Sequence, residues 1–278
     1  MTVMDSIRAR RSVRTFSGEP LRQEDAQKIA AFAETADNPY GLPITWTLLD
    51  TKTTGLSSPV IVGEDTFIAG KMRRTPHAEE AFGYSLERIV LFAASIGVGT
   101  TWIAGTMDRF AFEKAVSLQS DEVMPCVSPL GYPSKKMSVR ETLMRKGVKA
   151  DSRFPFSELF FDGSFDRPLS AENAEKWQTA LEAVRLAPSA VNKQPWRAVV
   201  CGDRVHFYEK RSAVRVNVDW DIQRIDMGIA LCHFAVAAEE CGIPIAFRLE
   251  DPGLTAPENT KYIATYVIEQ QEKEMFRL

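Results

Sequence analysis

Apolar and polar positions along this chain fall into blocks, and the blocks occur twice. After Pro20-Leu21 come the acidic Glu24 and Asp25 and then apolar positions at helical spacing; after Pro168-Leu169 comes Glu172 and a similar run. Acidic residues favour the first turn of a helix, and apolar residues at i, i+3 and i+4 build one buried face. Each segment therefore predicts an amphipathic helix. Both helices lead into a proline-containing loop, DNPYGLPITW at 37–46 and APSAVNKQPW at 187–196, and then into a strand-like run that begins at Trp46 or Trp196. Further on, Gly83–Gly97 and Gly228–Gly242 enclose two apolar helices with small residues on the packing face, the later glycine standing at each C-terminal end. In the first half a closing strand-like run, VSPLGY, ends at Tyr132.

The three matched pairs keep one order and nearly one spacing. Pro20 and Pro168 are 148 positions apart, Trp46 and Trp196 are 150 apart, and both glycine pairs are 145 apart. Small differences of this kind are what loop-length changes between duplicated copies produce, so the chain reads as one unit repeated. Residues 134–153, SKKMSVRETLMRKGVKADSR, are polar and strongly basic and mark the join. The expected domains are residues 1–150 and 151–278. Each is a mixed unit of helices on a small sheet, and the two pack as a pseudo-symmetric pair within one chain.

Composition narrows the function classes. Of 278 residues, 45% are hydrophobic and 26% charged, as in a soluble globular protein. The net charge of −3 gives no overall attraction to nucleic acid or to an anionic membrane. The apolar stretch Ile89–Val98 falls short of the roughly 20 residues that span a bilayer, and MTVMDSIRARRSVRTF has no apolar core behind its basic residues. Cys126, Cys201, Cys232 and Cys241 show no metal or disulfide spacing, and three histidines are scattered. A cytoplasmic protein with reduced thiols is expected.

Four segments carry chemistry. Arg10-Arg11-Ser12-Val13-Arg14 offers guanidinium forks and a hydroxyl, which suit a phosphate. The 187–196 loop supplies donors and acceptors at Ser189, Asn192 and Gln194, stiffened by Pro188 and Pro195. Gly97-Val-Gly-Thr-Thr-Trp102-Ile103-Ala104-Gly105 is a glycine-rich passage, and Leu130-Gly-Tyr-Pro133 is followed by Lys135, Lys136 and Arg140. Together these resemble the FMN-dependent nitroreductase family over nearly the whole chain, and in particular its fused two-repeat branch. APSAVNKQPW, close to the family's APSxxNxQPW loop, is the most specific string.

That resemblance implies an α+β fold of two tandem nitroreductase-like α/β sandwich repeats, packed as an intramolecular pseudo-dimer around flavin mononucleotide. The first repeat would hold the flavin through Arg10, Arg11, Ser12, Arg14, the backbone of Trp102–Gly105 beside the ring, and whichever of Lys135, Lys136 and Arg140 reaches the phosphate. The second would add Pro188, Ser189, Ala190, Asn192 and Gln194. One flavin per chain is expected, because the halves are complementary. The first has Leu42 and Ile44 where the polar loop has Asn192 and Gln194, and the second has FPFSELFFDGSF where the basic segment belongs. Nor does the C-terminal YIATYVIEQQEKEMFRL carry a Gly-Tyr-Pro with following lysines.

The implied activity is a ping-pong oxidoreductase taking hydride from NADH or NADPH and reducing an electron-poor small molecule such as a quinone or nitroaromatic. Arg14 would stabilise negative charge on the reduced ring, and no side chain need act as nucleophile or base. Other chemistry on the same flavin scaffold, such as reductive dehalogenation, and flavin binding without turnover are the alternatives. A monomer or loose homodimer is expected, with neither nucleic acid nor membrane as partner.

Overall fold

The computed structural model describes residues 1–212 and 220–269. Its helices are α1 (Val3–Ala9), α2 (Gln23–Glu34), α3 (Thr51–Thr54), α4 (Ala78–Ser95), α5 (Arg109–Ala115), α6 (Val139–Gly147), α7 (Phe156–Leu159), α8 (Gln178–Leu186) and α9 (Ile222–Glu240). The strands are β1 (Thr45–Asp50), β2 (Thr66–Arg73), β3 (Glu122–Val123), β4 (Val127–Leu130), β5 (Phe160–Asp162), β6 (Trp196–Cys201), β7 (Arg204–Lys210), β8 (Ile245–Arg248) and β9 (Thr260–Ile268). They form two separate sheets. In the first, β2 pairs antiparallel with β1 and with β3 and β4. The second runs β5-β6-β7-β9-β8, with β5 parallel to β6 and the other pairs antiparallel. The architecture is α+β.

The expected blocks are present, with adjusted edges. The segment after Pro20 forms α2, and both Trp-led runs form strands, β1 and β6. After Pro168 the helix is broken: Glu172–Trp177 winds as a 3₁₀ helix with Glu175 at φ 47°, and α8 starts only at Gln178. Gly97 and Gly242 take φ 80° and 70° just past α4 and α9, the left-handed conformation that ends a helix without a Cβ clash. The final stretch enters β9, while residues 270–278 lie outside the described residues.

Two apolar helices, α4 and α9, cross at the middle of the molecule. Both begin several residues before their first glycine, so Gly83 and Gly228 fall inside the helices. A Cβ on Gly83 would lie 2.1 Å from the carbonyl oxygen of Ile225, and one on Gly228 would lie 2.0 Å from that of Glu80. No side chain fits either gap, so the two backbones meet directly. Around the crossing one large core joins Phe82, Leu86 and Ile89 of α4 to Phe234, Trp196 and Trp177. A second core, including Phe16, Phe67, Phe112 and Val127, lies wholly within residues 13–127.

Candidate functional site

Helix α1 delivers the basic segment. It opens on a capping box between Thr2 and Asp5, and the backbone N–H groups of Val3 and Met4 donate to the Glu240 carboxylate at the far end of α9. That charge also complements the positive N-terminal end of α1. The helix ends at Arg10, whose own N–H closes on the Ser6 carbonyl at 2.8 Å. Beyond it the chain runs extended: Val13 N–H donates to Thr100 O at 2.9 Å, and Ser12 bridges Thr100. Val13 is buried in the smaller core, which turns its neighbours Ser12 and Arg14 the other way.

A cavity of about 400 Å³ opens there, within the usual range for small-molecule sites. From the first half it is lined by Ile7, Arg8, Arg10, Arg11, Ser12, Arg14, Met144, Arg145 and Val148. Across it stand Leu186, Pro188, Ser189, Val191 and Asn192, with Ala150, Asp151 and Arg153 from the chain between. Six arginines face one aspartate.

Their electrostatics are those of a site prepared for an anion. The Arg10 side chain is only 7% exposed, and its Nε has no hydrogen-bond partner. Burial pushes its pKa down, and Arg145 adds to that, against the pull of Glu87. Burial likewise lowers Arg14, partly offset by Glu141, and the Arg14 guanidinium makes no hydrogen bond among the described residues. Arg153 is pushed down to about 10, by burial first and then by Arg10 and Arg185. Buried like charges at close range raise the free energy of the anion-free state, and an anion among them would lower it.

Not every cation is free. Arg11 Nη1 holds Glu141 at 2.9 Å, and Arg145 pairs with Asp151. Arg153 spends both terminal nitrogens on carbonyls: Nη1 on Ala150 and Ser152, Nη2 on Leu186 at 3.2 Å. Its Nε remains buried without a partner. Of the buried and half-buried arginines, Arg10 and Arg14 keep the most donor capacity.

The loop at 187–196 is strained and anchored. Val191, Asn192 and Gln194 take φ 44°, 58° and 49°, a region costly for any residue with a Cβ and most of all for a β-branched one; about 1–3 kcal/mol each is typical. Ser189 Oγ accepts from the Gln194 N–H at 2.9 Å. Asn192 Nδ2 donates to the carbonyls of Lys149 at 2.8 Å and Ser152 at 3.0 Å. The Ala190 N–H donates to Asp226 of α9, at 3.0 and 3.2 Å to its two oxygens. Burial raises the pKa of Asp226 well above the ordinary carboxylate range.

Of the expected residues, the structure brings Arg10, Arg11, Ser12, Arg14, Pro188, Ser189 and Asn192 to the cavity. Others lie elsewhere. Gln194 is buried and its Oε1 accepts from the Phe154 N–H at 2.9 Å. Trp102 Nε1 donates to Glu87 at 3.0 Å, Ile103 is buried and bridges Val127, the Ala104 carbonyl accepts from Arg109, and Gly105 is exposed. Lys135 and Lys136 are exposed, and Arg140 donates to the Pro59 carbonyl. None of these three cations lines the cavity; Arg145 and Arg153 line it instead. The signal for them was the basic run 134–153, whose cations fall before, within and after α6. Among the described residues no group of three or more His, Cys, Asp or Glu side chains could hold a metal, and no helix is long and apolar enough to cross a membrane.

Comparison with known proteins adds the following. A family model described as "Putative TM nitroreductase" matches residues 2–238. A structure titled as a putative nitroreductase from Thermotoga maritima MSB8 is 20% identical, with a TM-score of 0.62, and the match covers 96% of this chain and 93% of that one. An FMN-dependent nitroreductase from Clostridium difficile R20291 is 18% identical over 51% of this chain and 95% of its own, with a TM-score of 0.41. A putative nitroreductase in complex with FMN from Desulfovibrio desulfuricans is 17% identical over 50% and 94%, also with a TM-score of 0.41. No curated protein matches.

Proposed function

The chain belongs to the putative TM nitroreductase family, and from that premise we propose that it is an FMN-dependent oxidoreductase. It would take electrons from NADH or NADPH and pass them to an electron-poor small molecule such as a quinone or nitroaromatic. One observation carries the reading: Arg10, Ser12 and Arg14 share a cavity with Pro188, Ser189 and Asn192, and Arg10 Nε is buried there without a partner. The donor set fits the phosphate end of FMN. Bound flavin supplies the two-electron chemistry, and the protein supplies binding and electrostatics.

The division of labour follows from the side chains. Arg10 would bind the phosphate with charge-assisted hydrogen bonds, about twice as strong as neutral ones, and Arg14 would stabilise negative charge on the reduced ring. Arg145 and Arg153 add positive potential, and the Ser12 hydroxyl adds a donor. Ser189 and Asn192 stand on the opposite wall. Leu186, Val148, Met144 and Ile7 exclude water along the apolar side.

The arrangement proposed for the chain is two repeats, residues 1–150 and 151–278, packed as a pseudo-dimer. The α4–α9 crossing supports it. Gly83 meets residue 225 and Gly228 meets residue 80, so moving the first member of one contact up by the 145-residue offset and the second down by it gives the other. A two-fold contact has that reciprocity, residue i on j and j on i. The internal pair occupies the surface through which the family's subunits associate, so the protein is proposed to be a monomer or loose homodimer of the cytoplasm, with one flavin per chain.

The test is the visible spectrum of the purified chain, followed by release and counting of the flavin. About one FMN per chain, with NADH or NADPH oxidised when a quinone is added, is the expected result. A colourless protein that takes up neither FMN nor riboflavin would overturn the reading, and two FMN per chain would overturn the shared site.

A further inference from the structure

Behind the cavity lies a fully buried acid–base pair for which binding alone gives no account. Glu87 of α4 and His233 of α9 are both 0% exposed and come from opposite halves of the chain, 146 positions apart. His233 Nδ1 lies 2.8 Å from the Ala183 carbonyl and Nε2 lies 2.9 Å from Glu87 Oε1. A carbonyl oxygen can only accept, so Nδ1 is the donor to Ala183 and one proton lies between Nε2 and Glu87. The other oxygen, Oε2, accepts from Trp102 Nε1 at 3.0 Å.

Arg10 is the third neighbour, and it is kept waiting. Its Nε lies 4.0 Å from Glu87 Oε1, too far for a hydrogen bond, and has no other partner. A buried guanidinium this close to a buried carboxylate would ordinarily close on it with a two-point contact. Here both oxygens are already engaged, one by His233 and one by Trp102.

We propose that His233 and Trp102 are positioning residues that occupy the Glu87 carboxylate, leaving the donors and the charge of Arg10 available to an anion in the cavity. The inference rests on the reading of that cavity as the phosphate end of the flavin site. It makes anion affinity depend on a contact between the two halves, because His233 reaches Glu87 only across the α4–α9 crossing. Two substitutions at one pair should then act in opposite directions. Removing the imidazole frees Glu87 Oε1 to capture Arg10, which lowers anion affinity. Removing the carboxylate charge takes away the competitor, so affinity holds or rises even though the core is disturbed.

The experiment measures dissociation constants of FMN and riboflavin for the full chain and for His233→Phe, Glu87→Gln and the double variant. The ratio of the riboflavin constant to the FMN constant isolates the phosphate. His233→Phe should lower that ratio by about tenfold, the scale of a lost hydrogen bond to a charged group. Glu87→Gln and the double variant should keep it at or above the wild-type value. A purely structural role would weaken both flavins alike, so an unchanged ratio in His233→Phe, or an equal fall in the double variant, overturns the inference. If His233→Phe does not fold, Trp102→Phe frees the other oxygen and should lower the ratio by a smaller factor; no fall there overturns it. If the wild type binds neither flavin, the flavin reading fails by itself. The same proteins are then ranked by thermal stabilisation with inorganic phosphate, where His233→Phe must respond least for the inference to stand.

Discussion

The loops at 37–46 and 187–196 occupy matching places, each between a helix and a Trp-led strand, and they solve the same turn in opposite ways. The first closes mainly by packing. Asn38 Nδ2 donates to the Leu42 carbonyl at 2.8 Å, Gly41 takes the left-handed conformation at φ 66°, and Tyr40 packs edge-on against Phe247 and stacks on His77. Leu42 and Ile44 pack against the large core. The second loop holds three non-glycine residues at positive φ and leaves Val191 58% exposed at the cavity. It is held by outside tethers: Asp226 on Ala190, and Asn192 on the 149–152 stretch. Position 226 less the 145-residue offset is 81, where α4 carries Ala81. The first loop is tied to α4 as well, through Ser85 on Asn38 and Arg88 on Asp37, but it also buries its own apolar side chains. A loop that keeps polar groups at a cavity must be held from elsewhere, and its strain is expected at a binding site.

The largest effect should come from the basic segment that only the strained loop faces. Arg10→Met should weaken FMN binding by roughly 10- to 100-fold, the scale of a hydrogen bond to a charged group at about 1.5–3 kcal/mol. The anion-free protein should melt no lower than wild type, because the Arg10 guanidinium makes no hydrogen bond there and its burial outweighs its attraction to Glu87. Flavin titration and thermal melts of the same preparations check both halves of the statement.

Next, Asn192→Ala should destabilise the chain by about 0.5–1.5 kcal/mol, since it removes the donor that ties the loop to the solvent-accessible Lys149 and Ser152 carbonyls. Asn38→Ala, its opposite number in closing the first loop, should lower the melting temperature without changing FMN affinity. Equal losses of affinity in the two variants would erase the distinction between the loops.

A pH profile tests the tether. Burial holds the folded pKa of Asp226 well above its unfolded value. The stability this gives is therefore fully present below the ordinary carboxylate pKa and is lost as pH rises towards the folded value. Asp226→Asn keeps an acceptor for the Ala190 N–H and carries no charge. It should raise the melting temperature at pH 8 and leave it near wild type at pH 4; a pH-independent shift would contradict the assignment. The smallest effect is expected from Leu42→Asn combined with Ile44→Gln. It costs some stability, but the flavin count stays at one, because the second half has no basic segment opposite that loop.

Much of this was legible beforehand, for physical reasons. Proline, glycine and apolar spacing act locally, so α2, α4, α9, β1 and β6 could be read from a short window. The meeting of Arg10 and Ser12 with Ser189 and Asn192 could be expected because each half lacked what the other kept. What stayed hidden was decided at long range. Lys135, Lys136 and Arg140 look no different in sequence from Arg145 and Arg153, and only the packing of α6 and the turn after it sends the latter pair to the cavity. Gln194 has the chemistry of a ligand contact, yet the Phe154 N–H, 40 positions away, takes its carbonyl oxygen. Glu87 sits in an apolar run, and nothing nearby announces a histidine 146 positions on.

The crossing of α4 and α9 also has an entropic side. A glycine inside a helix costs about 0.5–1 kcal/mol relative to alanine, since the unfolded chain has more freedom to lose. In return this close contact between the halves freezes no rotamer, whereas a long side chain ordered there would cost up to about 2 kcal/mol. Contact made by backbone alone depends on fit and hardly at all on the neighbouring side chains. In the two-repeat arrangement proposed above, the two loops could therefore diverge, one into packing and one into binding, while the crossing that aligns them stayed the same.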